Sequence, residues 1–290
     1  MKVAPENVDA IQGGGARTRT EVPSISVVIP YVNPAELALT LGSLALCRDI
    51  GQAEVVVVSD GVAANVEEHL SRRYPFSLKR VTADRCGKIG RLRNIGVRES
   101  KARTIYFIDS DCTVDAGAIE GAMGLQDCGV AIGKIEFFGN STVSRLDADI
   151  RSARYRDGQF AYCPNLVISK RLFEELGGFD ERFNYGSDGE FAYRLVSSGI
   201  AVSYAPSILV RHDCTAPASE IVSKWAKYGE GRFYRNRKHK RKQRASDYFP
   251  MLFDLRVGTL YNIAVLICNF ARTYGYFRAF FAVICGRGFL

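Results

Sequence analysis

The sequence predicts an α/β protein: a mostly parallel mixed sheet with helices on both faces, followed by a helical C-terminal extension. Three observations carry this. Short β-branched apolar runs alternate with helix-patterned stretches through the first 115 residues. Those runs are mostly apolar throughout rather than alternating, as expected of strands covered on both faces. From about residue 216 the chain changes character, to a basic strip and then two apolar stretches.

The elements follow in order. Ser24 to Pro30 is a buried strand stopped by proline, and Pro34 to Cys47 is a helix with proline in its first turn. Glu54 to Val58 is the second strand, closed by Ser59-Asp60-Gly61, with a helix over 62–73 after it. Ser77 to Thr82 is a third strand, Gly87 to Ser100 a basic helix, and Thr104 to Ile108 a fourth strand. Beyond residue 115 the rhythm loosens. Val130 to Phe138 reads as extended, Asn140 to Arg156 as partly helical, and Leu166 to Ile168 as a short strand. Lys170 to Leu176 is a helix with Gly177-Gly178 suited to its C-terminal cap, and Glu190 to Ser198 is another helix. Ala201 to Tyr204 and Ile208 to Arg211 are closing strands.

A chain of 290 residues has room for one large domain or two modest ones. With 47% hydrophobic and 24% charged residues, disorder throughout and collagen-like repetition are excluded. The formal charge of +8 is local: Arg232 to Arg244 holds eight basic residues and no acid, which leaves the rest neutral. The eight cysteines form no CxxC pair, so they read as reduced thiols of a cytoplasmic protein rather than as a zinc cluster. Residues 1–23 lack the apolar segment of a signal peptide and read as a disordered leader. No stretch reaches the ~18 uninterrupted apolar residues of a spanning helix.

In open α/β sheets ligands bind outside the carboxyl ends of the strands. That points to Pro30 and Tyr31, to Asp60, and to Asp109-Ser110-Asp111. Two carboxylates at i, i+2 can hold Mg²⁺ or Mn²⁺ and leave room for phosphate oxygens. The same residues also form ordinary turns. Asp60 reads as a turn residue or as an acceptor for a base or ribose. Asp188 opens a helix after a glycine-rich loop and reads as a cap residue or a general base. His212, just past the last strand, reads as structural or as a metal ligand.

Seven segments occur in the order seen in family 2 glycosyltransferases of the GT-A fold. They are Ser26–Pro30, Val58–Gly61, Arg93–Gly96, Phe107–Asp111, Asn165–Ile168, Gly177–Glu181 and Asp188–Leu195. Residues 24–213 thus resemble that family. The resemblance implies that Asp109 and Asp111 bind a divalent cation on the donor diphosphate and that Asp60 contacts the nucleoside. Asp188 would be the base, and His212 a further metal ligand. Pro30 and Tyr31 would line the donor rim, and Arg93 would steady phosphate or sugar. Ser187 stands where the family has glutamate before its catalytic aspartate, and Ser59 where many members have aspartate.

The expected reaction is inverting transfer of a sugar from a nucleotide-diphosphate sugar, a UDP-sugar foremost. The acceptor would be the hydroxyl of a glycan, glycolipid or other molecule, in cell-surface polysaccharide or glycolipid synthesis. The alternatives are a catalytically silent GT-A binding protein and a nucleotidyltransferase. The intact Asp109, Asp111 and Asp188 oppose the first. Tyr31-Val32-Asn33-Pro34 opposes the second, because a glycine-rich basic phosphate loop would be expected there.

The expected organisation is a leader at 1–23, a catalytic domain at 24–215 and a helical region at 216–290. Apolar stretches at Gly258–Ala271 and Tyr274–Cys285 suit either a helix pair lying on a bilayer beside the basic strip or a helical subdomain packed on the catalytic domain or on another copy of the chain. The expected protein is cytoplasmic with no nucleic-acid partner; on the first of these readings it is peripheral at the inner face of the cell membrane, with an anionic membrane surface met through Arg232–Arg244.

Overall fold

A computed structural model describes residues 10–12, 22–61, 74–126, 128–155, 163–240, 259–285 and 287. One nine-stranded sheet forms the centre, in the order β1-β4-β3-β2-β5-β8-β7-β9-β6. Its strands are β1 (Ala10–Gln12), β2 (Ile25–Tyr31), β3 (Ala53–Asp60), β4 (Ser77–Ala83) and β5 (Thr104–Phe107), then β6 (Cys112–Val114), β7 (Val130–Phe138), β8 (Leu166–Ser169) and β9 (Ser203–Asp213). The run β4-β3-β2-β5 is parallel, and the strands beyond it are mixed.

The helices are α1 (Pro34–Leu44), α2 (Ile89–Glu99), α3 (Ala118–Met123) and α4 (Thr142–Arg154), then α5 (Lys170–Glu175), α6 (Ser187–Ser197), α7 (Ala218–Lys238) and α8 (Thr259–Ile284). Two apolar clusters lie on opposite faces of the sheet. Val27 and Ile29 of β2 face Leu37 and Leu41 of α1, while Val28 faces Val97 of α2. This is the two-residue strand period acting on a strand that is buried throughout.

The structure departs from the sequence reading in several places, and one expected element falls outside the described residues. Ala10–Gln12, expected within a structureless leader, pairs antiparallel with β4 at the sheet edge; residues 1–9 and 13–21 lie outside the described residues. The helix expected over 62–73 also lies outside them. Strand β6 and helix α3 are three and six residues long, too short to leave a periodic signal. The two closing strands are one strand, β9. Its partner β7 steps from Gly133↔Ala205 to Lys134↔Leu209, so Pro206 falls in a bulge rather than ending the strand. Asn165, fully buried, donates through Nδ2 to Lys134 and Ile208 carbonyls at that bulge and accepts from Tyr106.

A further departure concerns the C-terminus. The two apolar stretches form one 26-residue helix, about 39 Å long, not a helix pair. It pairs instead with α7. A Cβ at Gly229 would lie 1.8 Å from the Arg272 carbonyl oxygen, and one at Gly275 would lie 1.8 Å from that of Ala226. The two glycines let the backbones touch, so Gly275 serves packing where a glycine commonly weakens a helix. Among the described residues no helix is long and apolar enough to cross a membrane.

Candidate active site

The carboxylates expected to meet the donor gather at the carboxyl ends of the parallel strands. Tyr31 ends β2 and Asp60 ends β3, while Asp109 and Asp111 follow β5. Pro30 and Tyr31 pair in register with Val58 and Ser59. Tyr31 is buried, and that burial raises its pKa against a hydrogen bond with Ser59. Asp60 accepts from the backbone N–H groups of Cys86 and Gly87 at 2.7 and 2.8 Å, so it shapes the loop between β4 and α2.

Asp111 and His212 meet because β6 pairs with β9, Cys112 opposite His212. The His212 Nε2 atom lies 3.6 Å from Asp111 Oδ1, while its Nδ1 is 3.1 Å from the Asp213 carbonyl oxygen. Phe137 packs against the imidazole at 5.5 Å between centroids. Among the described residues Asp111, Cys112 and His212 form the one group able to hold a metal, with ligand atoms within 4.8 Å of one another. Carboxylate and imidazole suit a divalent cation such as Mn²⁺. Cys112 is buried behind them. The Thr40 hydroxyl lies 2.7 Å from the carbonyl oxygens of both Ser110 and Cys112 and steadies the turn.

Asp109 is engaged differently. Its carboxylate pairs with the buried Arg93 guanidinium from α2. Burial disfavours that cation, but Asp109, Cys163 and Asp188 outweigh it and hold its pKa above the ordinary arginine value. Arg93 thus feels the charges of both Asp109 and Asp188.

The neighbouring residues of that motif fix the geometry. Asn94 donates to Phe179 O and Glu181 Oε1 and accepts from Phe179 N, all at 2.9 Å. Gly96 admits Val28, whose Cγ1 would lie 2.4 Å from a Cβ there. The glycine loop begins with a Schellman cap on α5: Gly177 N donates to Glu174 O and Gly178 N to Phe173 O, both glycines at positive φ.

Helix α6 begins at Ser187, three residues earlier than the sequence reading, because Gly186 at φ 77° turns the chain into it. Asp188 therefore stands in the first turn, where the helix dipole favours a carboxylate. Its Oδ1 accepts from Gly189 N at 2.7 Å. Glu190, fully buried, is bound by Arg194, Lys238 at 2.7 Å and His239 at 3.0 Å. Burial opposes its charge, yet Arg194 and Lys238 hold its pKa below the ordinary carboxylate value. Arg194 also donates to the Leu176 and Gly178 carbonyls, so this pair is a structural clamp.

Asp188 lines a pocket of about 110 Å³ with Arg151, Trp225, Arg232, Arg235 and Arg272 among its walls. The pocket was not legible as a site. Arg232 and Arg235 read as part of a surface strip, yet Trp225, Tyr228, Arg232 and Arg235 stand at i, i+3, i+7 and i+10, one face of α7. The strip is thus divided. Those two arginines line the pocket, Lys238 binds Asp180 and Glu190, and Arg241, Lys242 and Arg244 lie outside the described residues. Helices α7 and α8 both wall this pocket, so a boundary at 215 would pass through the candidate site.

Residues 26–176, just over half the chain, match the model of glycosyl transferase family 2. The chain belongs to that family. It is 26% identical over 224 residues to a pre-mycofactocin glycosyltransferase of Mycobacterium tuberculosis, spanning 71% of this chain and 46% of that protein. It is 23% identical over 225 residues to glycosyltransferase AglE of Haloferax volcanii, 72% of this chain and 73% of that one. The chain thus spans about half the length of the mycobacterial relative. Its fold resembles the mannosyltransferase PcManGT from Pyrobaculum calidifontis, solved with GDP-Man and Mn²⁺. The TM-score is 0.60 at 16% identity, covering 92% of this chain and 77% of that one. The family 2 member therefore has the GT-A architecture: a sheet with a parallel half, flanking helices and a C-terminal helical region.

Proposed function

We propose that this family 2 protein transfers a sugar from a nucleotide-diphosphate sugar to an acceptor hydroxyl, with inversion. One observation carries the reading. A carboxylate–imidazole pair, Asp111 and His212, stands just past β5, while a separate carboxylate, Asp188, lines a pocket of its own. Asp188 takes the proton of the acceptor hydroxyl. The oxygen attacks the anomeric carbon, the bond from that carbon to the phosphate oxygen breaks, and its electron pair leaves with the nucleoside diphosphate. Arg93 holds Asp109 and counters the charge of Asp188. Asp60 holds the loop at 84–88 against the nucleoside. Asp111 and His212 would hold a divalent cation, Mn²⁺ or Mg²⁺, which when bound offsets charge on the leaving diphosphate.

The family resemblance names UDP-sugars first, and the Pyrobaculum structure adds GDP-mannose to the donors worth testing. The acceptor is a glycan, glycolipid or other hydroxyl compound of cell-surface synthesis. The test is a screen of UDP- and GDP-sugars for hydrolysis and transfer, with Mn²⁺ or chelator, and NMR of the product anomer. Activity is expected with Mn²⁺, lost in chelator and restored on adding metal, and the product inverted. A retained anomeric configuration, or full activity in chelator, would overturn the corresponding part.

A second reading concerns location. Helix α8 exposes Ile263, Ile267, Phe270, Tyr274, Phe281 and Ile284 at spacings of three, four and seven, while Cys268, Asn269 and Ala279 are buried. The apolar stripe faces out and the polar Asn269 faces in. This supports a helix lying along a membrane surface, peripheral at the inner face, aided by exposed Arg237 and Lys240.

A further inference from the structure

Cys112 stands within the group that Asp111 and His212 form, and the reaction scheme has not used it. Strand pairing puts it there. Asp213 N donates to the Asp111 carbonyl and Asp115 N to that of Leu209, which makes these two the hydrogen-bonded pairs of the β6–β9 ladder. Cys112 and His212, in register between them, form a non-hydrogen-bonded pair. In such a pair the Cα atoms come closest and both side chains share one face. Both residues are buried, while the Asp111 side chain is 30% exposed and leaves an ion a way in. The Asp213 carbonyl oxygen accepts from His212 Nδ1 at 3.1 Å, so the lone pair of the imidazole is on Nε2, the atom nearer Asp111.

The spacing is that of a coordination shell. Asp111 Oδ1 lies 3.7 Å from Cys112 Sγ and 3.6 Å from His212 Nε2. With bonds of about 2.3 Å to sulfur and about 2.1 Å to oxygen and nitrogen, a tetrahedral centre separates sulfur from oxygen by about 3.6 Å and oxygen from nitrogen by about 3.4 Å. We propose that Cys112 is a third metal ligand, so that the site binds a thiophilic dication, Zn²⁺ or Co²⁺, more tightly than Mn²⁺. This rests on the reading of Asp111 and His212 as cation ligands. The Cys112 thiol proton passes to solvent as the bond from sulfur to the metal forms, and one carboxylate plus one thiolate balance the dication. Thiolate selects softer ions than Mn²⁺, which oxygen ligands suit better. Three protein ligands leave one tetrahedral position for a diphosphate oxygen.

Cobalt gives a direct readout, because a thiolate on Co²⁺ adds a sulfur-to-metal charge-transfer band in the near ultraviolet. The intact chain, reduced and stripped of metal with chelator, is titrated with Co²⁺, and Zn²⁺ and Mn²⁺ affinities are measured by calorimetry. The band should grow to saturation and vanish when Zn²⁺ displaces Co²⁺. Zn²⁺ should bind about a hundredfold more tightly than Mn²⁺, or better. Cys112→Ser should lose the band and weaken Zn²⁺ by about tenfold or more, while Mn²⁺ affinity changes less than about threefold. His212→Ala keeps the thiol and should still weaken the Co²⁺ complex by about tenfold or more. Removing the exposed thiols, with Cys128→Ser and Cys285→Ser, should leave the band intact. Thermal melting confirms that each variant is folded, and the wild-type spectrum decides the matter even if Cys112→Ser is not.

Saturable Co²⁺ binding without the band would overturn the proposal and leave Asp111 and His212 as cation ligands without the thiol. So would a band that survives Cys112→Ser or ignores His212→Ala, or equal affinity for Zn²⁺ and Mn²⁺. If none of the three ions binds, the cation part of the proposed function fails together with this one.

Discussion

Asp188 owes its position to one backbone turn at Gly186 and its surroundings to four arginines, and both bear on its chemistry. Asp188→Asn keeps size and hydrogen bonding and loses basicity. Its turnover should fall by about 10²–10⁴, with donor affinity by calorimetry unchanged. A wild-type single-turnover rate would reduce Asp188 to a helix-cap residue. Asp111→Ala should instead damage donor binding and turnover together, and excess Mn²⁺ should not restore either. Asp109 serves as a contrast, since Arg93 holds it. Asp109→Asn should lower the melting temperature as well as activity, because it leaves a buried guanidinium poorly matched.

The elements were legible to different depths. Strands β2, β3 and β5, α1 and the α5 cap could be read because an apolar run, a proline or a glycine pair marks each. Strand β6 could not, although it brings Asp111 to His212, because three residues carry no period. The arginine pocket was hidden for another reason: its residues come from α4, α7 and α8, and only packing unites them. That packing depends on glycine. Gly229→Ala or Gly275→Ala should destabilise by about 1–3 kcal/mol, seen as a lower denaturant midpoint.

The clamp on Glu190 belongs to the same scale. Its pKa is depressed in the folded protein, so its contribution is present above the unfolded value of about 4.3 and is lost as pH falls through the lower folded value. The wild-type melting temperature should drop on acidification below about pH 4. Glu190→Gln should already melt lower at pH 7 and show a shallower acid limb.

At the scale of the molecule, the carboxyl ends of the parallel strands form the proposed donor site, and helix α8 carries an apolar outer face. If that face lies on lipid, Phe270→Asp with Phe281→Asp should release the protein from vesicles in a flotation assay and leave donor affinity intact. Anionic lipid should strengthen binding, and salt should weaken that increment because surface charge is screened within ~8 Å at physiological ionic strength. Equal binding of the variant and the wild type would rule the face out.

The family match ends at residue 176, before α6, α7 and α8 begin. The donor-rim residues Asp60, Asp109 and Asp111 fall inside it, whereas Asp188 and three of the four pocket arginines fall outside. In the proposed scheme the donor carboxylates lie in the earlier stretch of chain, while the base Asp188 and the further donor ligand His212 lie in the later one. A lineage can exchange the later helices and acquire a new acceptor while its way of gripping a nucleotide stays the same. Proteins sharing this signature should therefore agree in donor chemistry more than in the molecules they decorate.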